Sequence, residues 1–447
     1  MKLYRRLLRQ VILPAGDRVF RQGMMERLKF LEQAQWWDRE RVDQWRDRAL
    51  RELVQVCYRD TAFYRGLMDE AGVKPGDIRG LADLPVLPVV TKDMIRAAYP
   101  EGVVRDTGLP TYNAGTSGST GKLFSVREDS ETAGTYRAST FLALEWAGWE
   151  IGEPHMMTGM NMTRSLDRRF KDAMLGCRYA FAAELRDDQL DRRLDQMERE
   201  KIEHLWGYPP AIYFLARRAA QRGWTRPLKS VATWGDMLPP LRRETIEKAF
   251  RVRVTDTYGC GEGFQLAAQC GSGVGYHVHA FDVALELVDS AGIPAPDGTP
   301  GMVTVTRFHP GPTPFLRYQP GDLATGLGDF ACPCGRQWPM LDSIQGRAAD
   351  TVVTPSGARL MGHVFNKSLQ SPEIDSWQVL QRELKSITVR LLLLPGHKYT
   401  QELERKLIGN LRRNGAGDDL EIRIDRVDSL PVTKGGKHRF IVSEVEP

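Results

Sequence analysis

The sequence predicts an α/β protein with a large N-terminal body and a small C-terminal α+β domain, and three observations carry this prediction. The first 75 residues place apolar side chains at helical spacing with dense charge between them. The segments SVATWG, PPLRRETIEKAF and VRVTDTYG follow the order strand, helix, strand, which is typical of parallel strands joined by a crossover helix. After Gly346, about 100 residues alternate strands with two helices, as small α+β modules do.

A chain of 447 residues is longer than one domain usually is, so we expect it to divide. The changes in pattern predict a helical region over 1–75, the body over 76–346 and the C-terminal domain over 347–447. Within the body, residues 276–325 form strand-like runs separated by Gly/Pro turns, which predicts a mainly β subdomain.

Composition excludes several classes of protein. No stretch of 18 apolar residues occurs, so we expect no membrane-spanning helix, and Arg interrupts the N-terminal apolar run too often for a secretory signal. The net charge of +5 arises from basic residues interleaved with acidic ones, which is not the pattern of a nucleic-acid-binding protein. We expect a cytoplasmic protein that acts as a monomer or a homodimer.

The first dozen residues predict a basic amphipathic helix. Leu3, Leu7 and Val11 share one side, with Arg5 and Arg9 nearby. Such a helix suits a membrane surface. Packing of the apolar side against the protein is the commoner arrangement, and we favour it here.

The stretch YNAGTSGSTGK, residues Tyr112–Lys122, predicts a phosphate-binding loop. Its glycines allow tight turns whose backbone N–H groups can wrap an anion. It is not a Walker loop, because five residues instead of four separate Gly115 from the Gly-Lys pair and Leu123 stands where Ser or Thr should follow. A surface turn rich in Gly, Ser and Thr is the alternative. The candidate phosphate contacts are Thr116, Ser117, Gly118, Ser119, Thr120, Gly121 and Lys122.

Five segments, taken in order, resemble the motifs of adenylate-forming enzymes. The glycine-rich loop resembles their TSGTTGKP segment. TYGCGEG (Thr257–Gly263) resembles YGxxE, RYQPGD (Arg317–Asp322) resembles YxxGD, IQGRAAD (Ile344–Asp350) resembles the GRxDD hinge, and LPVTKGGKHR (Leu430–Arg439) resembles PRxxxGKxxR. The segment YRDTAFYRGLMDEAGVKPGDIRGLADLPVLPVVTKDMI is similar to the N-terminal region of the phenylacetate–CoA ligase branch, which includes relatives from capsular polysaccharide clusters.

This resemblance implies that the chain activates a carboxylic acid, aromatic or another small organic acid, with ATP and Mg²⁺ to an acyl-AMP and then transfers the acyl group, with coenzyme A as the expected acceptor. By the same resemblance, Glu262 would bind Mg²⁺, Tyr258 would face the adenine, and Asp322 would bind the ribose hydroxyls. Arg347 would reach the ribose or a phosphate. These assignments agree with the chemistry, since a hard carboxylate oxygen suits Mg²⁺ and a carboxylate accepts two hydroxyl hydrogen bonds well.

The resemblance also implies a mobile C-terminal lid that delivers a catalytic lysine. Lys437, in the Gly-Gly-Lys of the last motif, would stabilise the adenylation transition state, and Lys434 is the competing candidate. The chain departs from the family pattern at three points. Ala349 stands where the hinge aspartate is usual, Val432 replaces an arginine, and Arg439 comes one residue early.

Other functions stay open at this point. The acceptor could instead be an amine, a sugar hydroxyl or a carrier-protein thiol, and a non-catalytic nucleotide-binding relative in polysaccharide assembly is a second class. A zinc-dependent hydrolase is the third. The candidate walls of an acid pocket are large apolar side chains that could equally be core, namely Trp206, Tyr208, Trp234 and Met237.

Cys270, His277, Cys332 and Cys334 predict a structural zinc site. Three thiolates and one imidazole fill a tetrahedral sphere. Three reduced cysteines or a redox pair are the alternative, because Cys-x-Cys is a looser signal than Cys-x-x-Cys. Some phenylacetate–CoA ligase relatives carry a similar pattern, and this resemblance favours His277 over His279.

Overall fold

The structure, a computed structural model, describes residues 2–117, 123–326, 328, 330–347, 351–394, 396–431 and 439–445. The chain forms two compact units. The first consists of Met1–Gly235, Thr245–Pro320 and Ala324–Ile344, and the second of Asp236–Glu244, Gly321–Leu323 and Gln345–Pro447. None of the described helices is both long enough and apolar enough to cross a bilayer.

Five α-helices open the first unit, which confirms the helical character predicted for this region. They are α1 Lys2–Leu7, α2 Leu13–Val19, α3 Met24–Ala34, α4 Arg39–Asp60 and α5 Ala62–Glu70. One π-helical turn, Leu8–Ile12, joins α1 to α2. The side chain of Asp38 accepts a hydrogen bond from the backbone N–H of Arg41 and so caps α4.

We expected the apolar side of the N-terminal helix to pack against the protein, and this expectation is wrong. Leu3, Leu7 and Val11 are exposed, whereas Leu8 and Leu13 are buried. The predicted apolar side therefore faces solvent, and the segment packs through Leu8 and Leu13, which lie at the two ends of the π-helical turn.

A helix, a hairpin and a second helix follow. They are α6 Lys92–Ala98, β1 Tyr112–Ser117, β2 Leu123–Glu128 and α7 Ser130–Trp146. The Thr91 hydroxyl caps α6, since it accepts a hydrogen bond from the N–H of Met94. Strands β1 and β2 are antiparallel, with Ser117 opposite Leu123 at the end of the ladder.

The largest sheet has eleven strands in the order β10-β11-β12-β13-β9-β8-β7-β6-β5-β3-β4. Its strands are β3 His155–Gly159, β4 Cys177–Phe181, β5 His204–Gly207, β6 Ser230–Thr233, β7 Val254–Cys260, β8 Phe264–Ala268, β9 Tyr276–Val278, β10 Val283–Val288, β11 Pro300–Arg307, β12 Asp322–Gly326 and β13 Met340–Arg347. The helices α8 Leu166–Leu175, α9 Asp187–Arg199, α10 Pro209–Gln221 and α11 Pro240–Phe250 connect its parallel strands.

The prediction that residues 276–325 are mainly β is confirmed, and their strands β9 to β12 belong to this large sheet. Strand β7 joins the two halves. Its residues 254–256 pair in parallel with β6, and its residues 257–260 pair antiparallel with β8, with a bulge between Tyr258 and Gly259. A bulge changes the direction of the strand that follows it, and here Gly259 and Cys260 pair with β8 in a shifted register just before the turn that contains Glu262.

The second unit carries a four-stranded sheet of order β18-β17-β16-β19. Its elements are β14 Val352–Val353, β15 Arg359–Leu360, α12 Gly362–Ser368, β16 Ile374–Glu383, β17 Ser386–Leu393, α13 Gln401–Leu411, β18 Glu421–Val427 and β19 Ile441–Ser443. The predicted order of strands and helices is confirmed. Phe365, Val389 and Leu407 are fully buried in one apolar cluster, so α12 and α13 share a core with the sheet.

Candidate nucleotide site and metal centre

Glu262 is a buried carboxylate in the turn that joins β7 to β8, with 2% of its surface exposed. The hydroxyl of Tyr318 donates a hydrogen bond to its Oε1 at 2.7 Å. The Nζ of Lys92 lies 3.0 Å from the same oxygen. Both contacts engage Oε1.

The environment of Glu262 keeps it anionic. Burial disfavours the charged form, but the charge of Lys92 and the hydrogen bonds from Tyr318 and Lys92 outweigh it and hold the pKa of Glu262 below its ordinary value. An anionic, buried, oriented carboxylate is the kind of group that binds a hard divalent cation. The role of Glu262 as a Mg²⁺ ligand stays a prediction.

The glycine-rich hairpin lies beside this carboxylate. The ring of Phe124, on β2, stacks on Tyr318 with centroids 6.2 Å apart and planes 8° apart. The Nζ of Lys92 lies 5.7 Å from the Phe124 centroid. Because Phe124 is the second residue of β2 and so lies close to the loop that connects β1 to β2, these contacts place the end of the hairpin next to Glu262.

The loop itself carries most of the predicted phosphate contacts. Gly118, Ser119, Thr120, Gly121 and Lys122 lie outside the described residues. Thr116 and Ser117 belong to β1 by their backbones. Their contacts with phosphate stay predictions.

Tyr258 and Gly263 occupy the two sides of the TYGCGEG turn. Tyr258 is buried in the core beside the hairpin, and its predicted contact with adenine stays a prediction. Gly263 has a φ of +83°, and a Cβ there would lie 1.9 Å from a carboxylate oxygen of Glu128. This position therefore requires glycine both for its backbone and for the close approach.

In the second unit the structure brings Asp322 and Arg347 together. The Nε of Arg347 lies 3.1 Å from Oδ1 of Asp322, and the aspartate side chain is largely buried. The arginine therefore orients the carboxylate that the sequence assigns to the ribose. Lys434, Lys437, Val432 and Ala349 lie outside the described residues, so the catalytic lysine and the hinge stay predictions.

The four predicted metal ligands meet in the first unit. The Sγ atoms of Cys270 and Cys332 are 3.7 Å apart, and Sγ of Cys334 is 3.3 Å from Nε2 of His277. All four donor atoms lie within 4.8 Å of one another. His279 is not part of this cluster, and its ring stacks on Trp146 with centroids 5.5 Å apart.

This donor set fits zinc. With Zn–S bonds of about 2.3 Å, a tetrahedral site separates two sulfurs by about 3.8 Å, which matches the distance between Cys270 and Cys332. A disulfide would need about 2.05 Å. Burial disfavours the Cys270 thiolate, but hydrogen bonds with His277 and Ser272 outweigh it and lower the pKa of this thiol to about 7. Burial raises the pKa of Cys332 to about 11. Metal binding itself stays a prediction.

The candidate walls of the acid pocket separate into different environments. Trp206 is a core residue, buried and stacked on His155 with centroids 3.9 Å apart, so its assignment as a wall is wrong. Trp234 is partly buried against the same core. Met237 packs in the core of the second unit. Tyr208 lies against the backbone of Gly235, after β6, and remains a candidate.

Two contacts at the site were missed by the sequence analysis, namely those that Lys92 and Tyr318 make with Glu262. Tyr318 lies inside the RYQPGD segment and Lys92 follows the helix cap Thr91. Both residues therefore lie in segments that carry the resemblance. Their spacing in the sequence does not predict that either one contacts Glu262.

Comparisons with known proteins agree with this geometry. Residues 352–444 match the family described as the CapK C-terminal domain. Phenylacetate-coenzyme A ligase of Thermus thermophilus is 28% identical over 326 residues, which are 70% of this chain and 72% of the relative. Protein CapK of Staphylococcus aureus is 22% identical over 408 residues, which are 88% of each chain.

Solved structures show the same fold. The 2-hydroxyisobutyryl-CoA ligase, in its postadenylation state with an acyl-AMP, matches with a TM-score of 0.74 at 18% identity, over 92% of this chain and 91% of that one. The amide bond synthetase McbA from Marinactinospora thermotolerans matches with a TM-score of 0.55 at 18% identity, over 73% and 66%. The predicted resemblance to the phenylacetate–CoA ligase branch and the α/β fold class are thereby confirmed.

Proposed function

We propose that the protein is an AMP-forming ligase that activates a small carboxylic acid with ATP and passes the acyl group to coenzyme A. The observation that carries this proposal is the arrangement around Glu262. A glycine-rich hairpin lies beside a buried carboxylate that Lys92 and Tyr318 keep anionic. A nucleoside triphosphate with its divalent cation needs both features, since the hairpin can bind the phosphates and the carboxylate can bind the metal.

Each residue has a separate task in the first half-reaction. The backbone N–H groups of the hairpin loop and Lys122 would bind the phosphates. Glu262 would hold Mg²⁺, whose charge offsets the negative charge of the phosphate oxygens. Asp322, oriented by Arg347, would accept hydrogen bonds from the ribose hydroxyls.

The chemistry consists of two displacements. An oxygen of the substrate carboxylate attacks the α-phosphorus of ATP, the bond to the β-phosphate oxygen breaks, and pyrophosphate leaves. Lys437 would stabilise the charge that develops in this step. In the second step the thiol sulfur of coenzyme A attacks the acyl carbon, loses its proton, and AMP leaves with the electrons of the acyl–oxygen bond.

We assign the metal cluster a structural task. Three cysteines and one histidine would fill the coordination sphere of zinc and leave no position for water. The cluster would tie the turn after β8 to strand β9 and to the loop before β13. This closed sphere also weighs against a zinc-dependent hydrolase.

The acceptor separates the main proposal from its alternative. One structural neighbour is an amide bond synthetase, so transfer to an amine is the second candidate, with a sugar hydroxyl or a carrier-protein thiol as further acceptors. A panel of aromatic and aliphatic acids would be screened by acid-dependent release of pyrophosphate. The preferred acid would then be tested with coenzyme A and with amines.

The matched control is Glu262→Gln, which keeps the size of the side chain and removes its charge. We expect this variant to lose pyrophosphate release with every acid. If the wild-type chain releases no pyrophosphate with any acid, the protein is better described as a non-catalytic nucleotide-binding relative. Pyrophosphate release without thioester formation would support the first half-reaction and would mean that the acceptor is not coenzyme A.

A further inference from the structure

Two segments of the first unit expose an unusual amount of apolar surface. The five most exposed large apolar side chains among the described residues are Leu3 (81%), Leu166 (81%), Met162 (77%), Val19 (76%) and Phe170 (71%). All of them lie in the N-terminal helical segment, residues 2–22, or in the segment 160–175 that contains α8. Single exposed apolar residues are ordinary, but a concentration of them in two short segments marks an interaction surface.

The two segments lie side by side. The hydroxyl of Tyr4 donates a hydrogen bond to the carbonyl of Met174 at 2.8 Å. The Nζ of Lys171 lies 5.7 Å from the centroid of the Phe20 ring. One turn of α8 therefore contacts both the beginning and the end of the N-terminal segment, and the exposed side chains form one surface, which we call the N-terminal/α8 surface.

This surface is the outer face of amphipathic helices. Leu8 and Leu13 anchor the N-terminal segment in the core, while Leu3, Leu7 and Val11 remain in solvent. Helix α8 repeats an apolar residue at positions 166, 170 and 173, yet none of its residues is buried. Met174 and Leu175 at its end are partly buried against the core, so Leu166 and Phe170 form the exposed part of its apolar face.

These segments are rich in basic residues, of which Arg5 and Arg9 pair with glutamates outside the two segments. Residues 2–22 contain six basic and one acidic side chain, and residues 160–175 contain four basic and two acidic ones. Their combined excess of seven is larger than the net charge of +5 of the whole chain, so the rest of the chain is slightly acidic. Arg6, Arg18, Arg21, Arg168 and Arg169 are all exposed.

We propose that the N-terminal/α8 surface docks the protein on a membrane that contains anionic lipids. The apolar side chains would enter the boundary between headgroups and acyl chains, and the basic side chains would bind the lipid phosphates. A second copy of this chain is a poor occupant, because a two-fold contact would bring the same positive charge together from both sides. The proposal is independent of the ligase activity.

Co-sedimentation with lipid vesicles tests the proposal. The purified chain is mixed with vesicles of phosphatidylcholine that contain about 30% phosphatidylglycerol, whose negative surface attracts Lys and Arg, and with vesicles of phosphatidylcholine alone. We expect binding to the anionic vesicles and at least about tenfold weaker binding to the neutral ones. Added salt should weaken the binding, since screening acts on exposed charge.

Two pairs of variants separate the apolar contribution from the charge. Leu166→Ser with Phe170→Ser should weaken binding about tenfold or more, whereas Ile293→Ser, at a side chain 59% exposed elsewhere on the first unit, should not. Arg168→Gln with Arg169→Gln should weaken it similarly, whereas Arg48→Gln with Arg251→Gln, also exposed, should not. Pyrophosphate release by each variant checks that it is folded.

Three results would overturn the proposal. The first is no binding of the wild-type chain to anionic vesicles, and the second is equal binding to neutral ones. The third comes from sedimentation velocity without lipid. If Leu166→Ser with Phe170→Ser turns a dimer into a monomer while vesicle binding is absent, the N-terminal/α8 surface is a contact between copies.

Discussion

Lys92 and Glu262 form an ion pair of 3.0 Å across 170 residues of sequence, and the glutamate is buried while the lysine is about a quarter exposed. The lysine therefore reaches a carboxylate that solvent scarcely touches. Such a pair holds the carboxylate in its charged form before any cation arrives. It also makes the stability of the first unit depend on a residue assigned to the site.

Replacement of Lys92 by methionine should destabilise the chain in a pH-dependent way. Without the lysine, burial dominates and the pKa of Glu262 rises, so the variant carries an uncompensated buried charge at neutral pH. We expect a loss of about 2 kcal/mol in the free energy of unfolding at neutral pH, less than for a fully buried pair because Lys92 is partly solvated.

The sign of the pH effect follows from the two protonation states. In the wild type the pKa of Glu262 is lower in the folded chain than in the unfolded chain. The stability that Glu262 contributes is therefore present above its pKa in the unfolded chain and is lost as the pH falls through its pKa in the folded chain. In the variant, protonation removes the buried charge, so the difference from wild type should shrink as pH falls. Urea denaturation at neutral and acid pH measures this, with Lys248→Met as the exposed control. An equal loss at both values of pH would contradict the ion pair.

Lys437→Ala should nearly abolish formation of the acyl-AMP while the affinity for ATP changes little. A group that stabilises charge only in the transition state affects the rate of the chemical step, not ground-state binding. Single-turnover release of pyrophosphate gives the rate, and nucleotide titration gives the affinity. Lys434→Ala is the matched control. If Lys437→Ala releases pyrophosphate at the wild-type rate and Lys434→Ala releases it slowly, the catalytic lysine is Lys434 and not Lys437.

The metal cluster should hold about one zinc per chain through gel filtration. Because ligands that meet only in the folded chain couple metal affinity to folding, Cys332→Ser or chelation should lower the melting temperature. Cys177→Ser, outside the cluster, should retain the metal and the response to chelator. Elemental analysis of protein purified without added metal decides the matter, and an absence of zinc together with six titratable thiols in the native state would refute the site.

Asp322→Asn should raise the KM for ATP by about tenfold, because an amide cannot replace the charge-assisted hydrogen bonds of a carboxylate to the ribose hydroxyls. Arg347→Ala should have a smaller effect of the same kind, and the double variant should lose less than the sum of the two, since the residues act as a pair. Asp425→Asn, on β18, is the exposed control. Additive effects would mean that Arg347 acts on the nucleotide independently of Asp322.

Much of the fold could be predicted from local pattern. Strand β6, helix α11 and strand β7 occur as expected because their apolar runs and their Pro-initiated helix are local signals. The cysteines of the metal cluster were also predictable from residue type, since few residue types bind zinc, whereas the choice of His277 over His279 came from the resemblance to phenylacetate–CoA ligase relatives.

The rest depends on tertiary contacts that no local rule encodes. The pairing of Lys92 with Glu262 joins distant segments, and a lysine at the start of a helix has the same local pattern whether or not it meets a carboxylate. Trp206 was expected as a possible pocket wall, and only its neighbours reveal that it is core. The outward direction of Leu3 depends on the packing of Leu8 and Leu13 into the core, which leaves the other side of the N-terminal segment exposed.

Strand β9 is too short to secure its own alignment. It has three residues, and His277 in its middle lies opposite Ala268 on one side and Met340 on the other. A slip of one residue would turn His277 to the other face of the sheet and away from the cysteines. Metal binding would thus stabilise the correct register of β9. It would do so only once segments some 60 residues apart in sequence have come together. If the cluster binds zinc as proposed, a chain without the metal should hold β9 in register less firmly.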